Sequence, residues 1–409
     1  MKTFTFKLSN EIRIIHQEIK SDVSYCGIMI NSGSRDELED ELGLSHFIEH
    51  NLFKGTSKRN AFYVVNRLEE IGGEIDAYTA KEETFIYATF LKDYYDRTIE
   101  ILSEMVFNST FPKKEIEKEK IVIEDEINSY KDNPSEMIFD EFENAVFKNH
   151  PLGQNILGNH YLIKNFNKTT ILNFIRKNYN TNEIILSSVG NISPKKIVEI
   201  SKKYLGKVPI NKRNHLRPKK YKYIPKKITL KKNISQNHCI IGNIAPNIFN
   251  KNNLTFNLLN NILGGPNINS RLNLSVREKF GFTYSIESFF NSYSDYGIWG
   301  IYFTSESKYL NKILNLIKRE LIKMKKIKLG PKQINTARNQ IYSQLAIFNE
   351  SKSNVMQNNA KNMILNNRVE TLEQIKYKIS KISADEIQSL AQEVFDINNL
   401  TTIIIKSTK

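Results

Sequence analysis

Two stretches about 210 residues apart carry the same skeleton, and this limits the architecture of the chain more than any other feature. Residues 46–55 read HFIEHNLFKG and residues 256–265 read FNLLNNILGG. Aligned, they keep apolar side chains at 48, 52 and 53 (258, 262 and 263 in the second copy) and a closing Gly. An apolar strand and a loop precede each stretch, at 25–30 (YCGIMI) and 238–243 (HCIIGN), and the second helix is expected over 254–263. A fixed offset of this size predicts a duplicated fold with two halves of about 200 residues. In the first half, residues 74–79 and 84–91 alternate like paired strands around a polar turn, and helical patterns follow at 94–108 and 113–131. The expected class is α+β, with two homologous α/β-sandwich halves, each a mostly antiparallel sheet covered on one side by helices. Residues 207–232 hold three prolines and no acidic residue among many lysines and arginines. Like-charge crowding and proline oppose compact structure, so this segment is read as a linker between domains 1–206 and 233–409.

The copies differ where chemistry could reside. His46, Glu49 and His50 of the first become Phe256, Leu259 and Asn260 in the second. On a helix, residues three and four apart share a face, so His46, Glu49, His50 and Phe53 form one stripe. Leu44, Phe47, Ile48 and Leu52 form another, able to anchor the helix in a core. Two His at i and i+4 can hold one Zn²⁺, and the Glu between them can deprotonate the water that the ion activates. The order H-x-x-E-H reverses the commoner H-E-x-x-H. With seven His in 409 residues, chance supplies the string about 0.007 times in such a chain.

A catalytic zinc takes a third protein ligand and leaves a position open. The acidic helix 115–130 (EIEKEKIVIEDEINSY) offers candidates, separated by periodicity. Glu119, Ile123, Glu126, Ile127 and Tyr130 share one stripe, whereas Glu117, Lys120, Glu124 and Lys131 lie opposite. Glu119 and Glu126 are therefore the carboxylates able to look inward, and burying them is costly unless a cation or donor meets them. The segment GGEIDAYT (72–79) suits an exposed edge strand that pairs with an extended peptide through main-chain hydrogen bonds.

These motifs resemble the pitrilysin family of inverzincin metallopeptidases, and in particular its short branch of mitochondrial processing peptidase β subunits and bacterial homologues. The resemblance runs along nearly the whole chain: NSGSRDE (31–37), HFIEHNLFKGT (46–56), GGEIDAYTAKEET (72–84), EIEKEKIVIEDEI (115–127), NHPLGQNILG (149–158) and REKFGFTYSI (277–286). It implies one zinc per chain on His46, His50 and Glu126, with Glu49 as general base and Glu119 orienting a ligand. It implies that the strand bearing Asp76, Ala77, Tyr78 and Thr79 carries the substrate peptide. The family usually has Asn where this chain has Asp76. It further implies that Tyr284 donates to the developing oxyanion and Arg277 holds the peptide backbone, both reaching the site from the partner subunit of a dimer. A chain that keeps both sets of motifs suits a homodimer. A heterodimer with an inactive homologue is the alternative, as is a non-catalytic scaffold role.

Charge narrows the choice of ligand. Residues 1–200 carry 24 basic and 32 acidic side chains, and the remainder 35 and 12. The zinc motif thus lies in an acidic half that attracts basic peptides. The net charge of +15 invites a nucleic-acid reading, but no recognised motif accompanies it. No apolar run reaches eighteen residues, and the N-terminus lacks a signal-like core, so a cytoplasmic protein without membrane spans is expected. Cys26 and Cys239 read as reduced, buried thiols. The five remaining histidines (16, 150, 160, 215 and 238) lack partners at metal spacing.

Overall fold

A computed structural model describes residues 3–217 and 221–408, grouped into two compact units. The first unit holds a six-stranded sheet. Its strands are β1 (Phe4–Lys7), β2 (Arg13–Glu18), β3 (Val23–Ile30), β4 (Glu74–Thr79), β5 (Thr84–Leu91) and β6 (Ile184–Gly190), in the order β1-β2-β6-β3-β5-β4. The second holds β7 (Lys227–Lys232), β8 (Asn237–Ala245), β9 (Ile286–Ser292), β10 (Gly297–Ser305) and β11 (Thr401–Ser407), in the order β7-β11-β8-β10-β9. Apart from β1 the two orders coincide. Each sheet is antiparallel except for one parallel pair, β2 with β6 and β7 with β11. This is the duplicated α+β arrangement that the repeat implied.

Helices of the first unit are α1 (Leu44–Leu52), α2 (Ala61–Glu69), α3 (Tyr95–Phe107), α4 (Lys113–Lys131), α6 (His160–Asn165), α7 (Lys168–Asn178), α8 (Pro194–Leu205) and α12 (Lys352–Asn366). Those of the second are α5 (Pro134–Val146), α9 (Asn253–Gly264), α10 (Leu310–Lys326), α11 (Pro331–Phe348), α13 (Leu372–Lys381) and α14 (Ala384–Val394). The division falls inside α4, after Ser129, and inside α11, after Ala346.

The contiguous boundaries 1–206, 207–232 and 233–409 are therefore not those of the compact units. The first unit comprises 1–129, 154–218 and 347–371; the second comprises 130–153, 219–346 and 372–409. Each half of the sequence gives one helix to the other sheet. Sheet burial explains this. Alternate residues of the first sheet (Ile28, Ile86 and Leu186) join the core under α1, α3 and α8, while Met29, Phe85, Ile185 and Val189 point the other way. Met356, Ala360 and Met363 of α12 cover that second face, and the Ser187 hydroxyl donates to the Met356 carbonyl at 2.7 Å. In the second unit Ile138 and Phe142 of α5 cover Ile240, Ile403 and Ile405 in the same way. Both faces of each sheet are thus covered, where helices on one side were expected.

The basic segment is also more ordered than a linker. Residues 227–232 form β7, paired with β11, and Arg213 and Arg217 are sheltered against Asp36 of the first unit. The charges that argued against structure are neutralised there by a buried carboxylate; residues 218–220 of the segment lie outside the described residues. Both cysteines are free and buried.

Candidate metal centre

Helix α1 owes its position to its apolar stripe and to its start. Leu44, Phe47, Ile48 and Leu52 are fully buried in the core of the first unit, which turns His46, Glu49 and His50 to the opposite side. Gly43 precedes the helix with φ +95°, and the Glu37 carboxylate accepts from the N–H groups of Gly43 (2.9 Å) and Ser45 (2.7 Å). A carboxylate at a helix N-terminus satisfies orphan donors and meets the positive end of the helix dipole. Helix α4 buries Ile116, Glu119, Ile123 and Ile127, the face that periodicity selected, with Glu126 at its margin.

The two helices bring His46, His50 and Glu126 together, with one ligand atom from each lying within 4.8 Å of the others. His46 Nε2 is 3.7 Å from one Glu126 oxygen and His50 Nε2 is 3.6 Å from the other. These are not ion pairs of a protonated His46: burial, reinforced by the neighbouring His50, pushes its pKa down to about 3. Neutral imidazole is the form that binds a metal. His50 is held the other way. Burial alone would lower its pKa, but hydrogen bonding to Glu119 and the charges of Glu49 and Glu126 raise it. Its Nδ1 lies 3.1 Å from Glu119 Oε2, and a donated Nδ1–H leaves the Nε2 lone pair facing Glu126.

At this site His46 Nδ1, Glu49 Oε2 and Thr79 Oγ1 are buried without a hydrogen-bond partner among the described residues. Burial raises the pKa of Glu49, and Glu126 and Asp76 act in the same sense against Thr79 and His50. A carboxyl raised from its usual range suits a group that must both take and return a proton near neutrality. Two imidazoles, a carboxylate and a nearby basic carboxylate fit a zinc ion in donor type and number.

Next to this cluster β4 is the outer strand of its sheet, and among the described residues it pairs with β5 alone, so its other edge carries no strand. Asp76 on it is exposed and accepts from the Tyr87 hydroxyl at 3.0 Å; Ala77, Tyr78 and Thr79 are half-buried. In the second unit, Arg277 lies in a π-helical stretch (Asn273–Glu278), its guanidinium 5.6 Å from the ring centre of Tyr284. Tyr284 itself is 84% exposed. Lys54, which sequence reasoning passed over, contacts Glu119 Oε1 at 2.7 Å. Its place four residues beyond His50, on the same stripe, was the available clue.

The chain is similar to known proteins along most of its length. Residues 13–160 match the family model "Insulinase (Peptidase family M16)", and residues 165–341 match "Peptidase M16 inactive domain". An uncharacterised zinc protease of Bacillus subtilis is 31% identical over 391 residues, spanning 95% of each chain. The β subunit of the mitochondrial processing peptidase of Saccharomyces cerevisiae is 28% identical over 401 residues, covering 94% of this chain and 87% of its own. A protease from Helicobacter pylori shares the fold, with a TM-score of 0.90 and 21% identity over 99% of each chain. Among the described residues, no helix is long and apolar enough to cross a membrane.

Proposed function

The chain belongs to the M16, or pitrilysin, family of zinc peptidases, and on that premise we propose that it is a zinc-dependent endopeptidase acting on short or unfolded, preferentially basic peptides. The convergence of His46, His50 and Glu126 beside the unbonded carboxylate oxygen of Glu49 carries this reading.

In this proposal His46, His50 and Glu126 hold the ion, one per chain. When bound, zinc supplies Lewis acidity, making water a nucleophile near neutral pH and polarising the scissile carbonyl. Glu49 takes the proton from the attacking water and returns it to the leaving amine. Glu119 fixes the tautomer and ring orientation of His50. The unpaired side of β4 accepts an extended peptide as an added strand, with Asp76 to Thr79 lining its path. Excess negative charge in the first half, with Asp76 on the edge strand, favours Lys- and Arg-rich sequences. Arg277 and Tyr284 act from the second half, holding the peptide backbone and donating to the oxyanion. The chain works as a homodimer that encloses the peptide and in which each copy completes its partner's site.

The test is hydrolysis of a quenched fluorescent Lys/Arg-rich peptide by zinc-loaded protein and by Glu49→Gln. The expected loss is about 10²- to 10⁴-fold in kcat with zinc still bound. No cleavage by either protein would instead favour a non-catalytic subunit. Equal kcat/KM for acidic and basic peptides of one length would refute the charge preference.

A further inference from the structure

We propose that Lys54 is a positioning residue of the metal centre: its ammonium pins Glu119 so that this carboxylate keeps His50 turned toward Glu126. The inference rests on the reading of His46, His50 and Glu126 as zinc ligands.

Glu119 has two oxygens and both are used. Oε2 meets His50 Nδ1 at 3.1 Å and Oε1 meets Lys54 Nζ at 2.7 Å. Its side chain is only 6% exposed, so water offers little substitute for either partner. An imidazole that serves as a metal ligand is neutral, which leaves the ammonium as the cation that meets this buried carboxylate. Without Lys54, Oε1 would lack its charged donor, and the carboxylate could turn to find another at the expense of His50. His50 Nε2 would then no longer be confined to its direction beside His46.

The backbone places Lys54 for this role. Helix α1 ends at Leu52, Phe53 caps it, and the Lys54 N–H donates to the Asn51 carbonyl at 3.2 Å, which keeps Lys54 one turn beyond His50. The chain then turns away at Gly55, whose φ of +134° side-chain-bearing residues rarely adopt. The internal duplication supplies a comparison within the molecule. In the aligned segment of the second half, Gly264 occupies the position of Lys54, where Phe256, Leu259 and Asn260 replace His46, Glu49 and His50. The scaffold therefore forms without an ammonium at this point, and the lysine is found where the metal motif is.

Electrostatics gives the test its direction. Removing a positive charge near a cation site should, by charge alone, tighten binding of the cation. A loss of affinity thus reports orientation. Zinc dissociation constants would be measured on the full chain, by competition between metal-free protein and a chromophoric chelator, for the parent, Lys54→Met, Lys54→Arg, Glu119→Gln and the Lys54→Met/Glu119→Gln double variant. We expect zinc affinity to fall about tenfold in Lys54→Met. Lys54→Arg should recover most of it, and Lys54→Met should have no further effect once Glu119 is Gln. Unchanged or tighter zinc binding in Lys54→Met, with parent-like circular dichroism, would overturn the inference alone. So would losses that simply add in the double variant. A parent chain that takes up no zinc would remove the ligand assignment and this inference with it.

Discussion

Replacing Asp36 by Asn tests the charge cluster that stands behind the metal helix. The Asp36 side chain is 1% exposed and accepts a two-pronged contact from Arg217, Nε to Oδ1 at 2.9 Å and Nη2 to Oδ2 at 2.7 Å. Arg213 Nη2 adds a third contact at 2.5 Å, and the Gly33 N–H a fourth at 3.1 Å. Asn preserves the shape but replaces one acceptor with an amide donor, facing guanidinium groups that are themselves almost buried. Breaking a buried pair from one side costs about 3–5 kcal/mol, because the other charge is left without compensation. Glu82 Oε1 remains 3.5 Å from Arg217, which places the expected loss at the lower end, about 3 kcal/mol. That is a large share of the 5–15 kcal/mol typical of a folded domain. The assay is urea unfolding at pH 7, followed by circular dichroism, for Asp36→Asn, Arg217→Met and the double variant. A single-variant loss below about 1 kcal/mol, or a double variant that equals the sum of the singles, would refute the reasoning. The pH dependence follows from the same contacts. Burial pushes the Asp36 carboxyl up, but Arg217, Arg213 and the Gly33 N–H overcome this and hold it below the ordinary carboxylate range. Its contribution is therefore present above the unfolded-state value and lost as pH falls through the folded one. Asp36→Asn should flatten the acid limb of the stability curve. Because Glu37, the next residue, caps α1, the variant should also loosen zinc.

Gly158 has φ +69°, and a Cβ there would come within 2.2 Å of the Leu42 carbonyl oxygen and 2.7 Å of Gly43 Cα, just before α1. Gly158→Ala is expected to cost about 2 kcal/mol or more and to weaken zinc binding with it; an unchanged urea midpoint would contradict this. Asp76→Asn should narrow the preference for Lys/Arg-rich over Glu/Asp-rich peptides by about fivefold in kcat/KM, as expected for one screened charge about 8 Å from a substrate charge. An unaltered ratio would mean that Asp76 does not face the substrate.

Local periodicity disclosed the parts of the site that depend on local geometry. The apolar stripe of α1 placed His46, Glu49 and His50 on one face, and the register of α4 separated Glu119 and Glu126 from the solvated glutamates. The strand pair at 74–79 and 84–91 was equally plain, because alternation and a polar turn are local features. The exchange of α5 and α12 was not. Ile138 and Phe142, or Met356 and Met363, show that a helix has an apolar face, but nothing nearby names the sheet it meets. The hint lay in β6, whose residues are all buried, and in the Ile-rich run of β11, since strands covered on both faces read as continuous apolar runs. Arg213 and Arg217 were hidden for a different reason. Their partner Asp36 lies 177 and 181 residues away, and composition around the arginines records only like charge.

The duplication also shows what the chemistry costs the fold. Ile28, Ile86 and Ala77 stand in one row across β3, β5 and β4; Ile241, Ile301 and Ser288 make the corresponding row across β8, β10 and β9. In the second unit the helix locks onto this row: the Asn260 amide donates to the Ser288 carbonyl at 3.2 Å, and the Ser288 hydroxyl donates to the Asn260 carbonyl at 2.9 Å. Leu259 beside it is fully buried. In the first unit the counterpart of Leu259 is Glu49, a carboxylate with one buried oxygen, Oε2, that lacks a hydrogen-bond donor among the described residues. A buried unsatisfied acceptor costs about 1–3 kcal/mol, and a leucine of similar size would remove that penalty. The metal-free Glu49→Leu variant should therefore be more stable than the metal-free parent by about 1 kcal/mol or more, while losing peptide hydrolysis. Urea titration of both proteins after chelation measures the difference. A metal-free Glu49→Leu protein less stable than its parent would mean that Glu49 supports the fold, and that the face of α1 bearing the two histidines is not held open at the expense of stability.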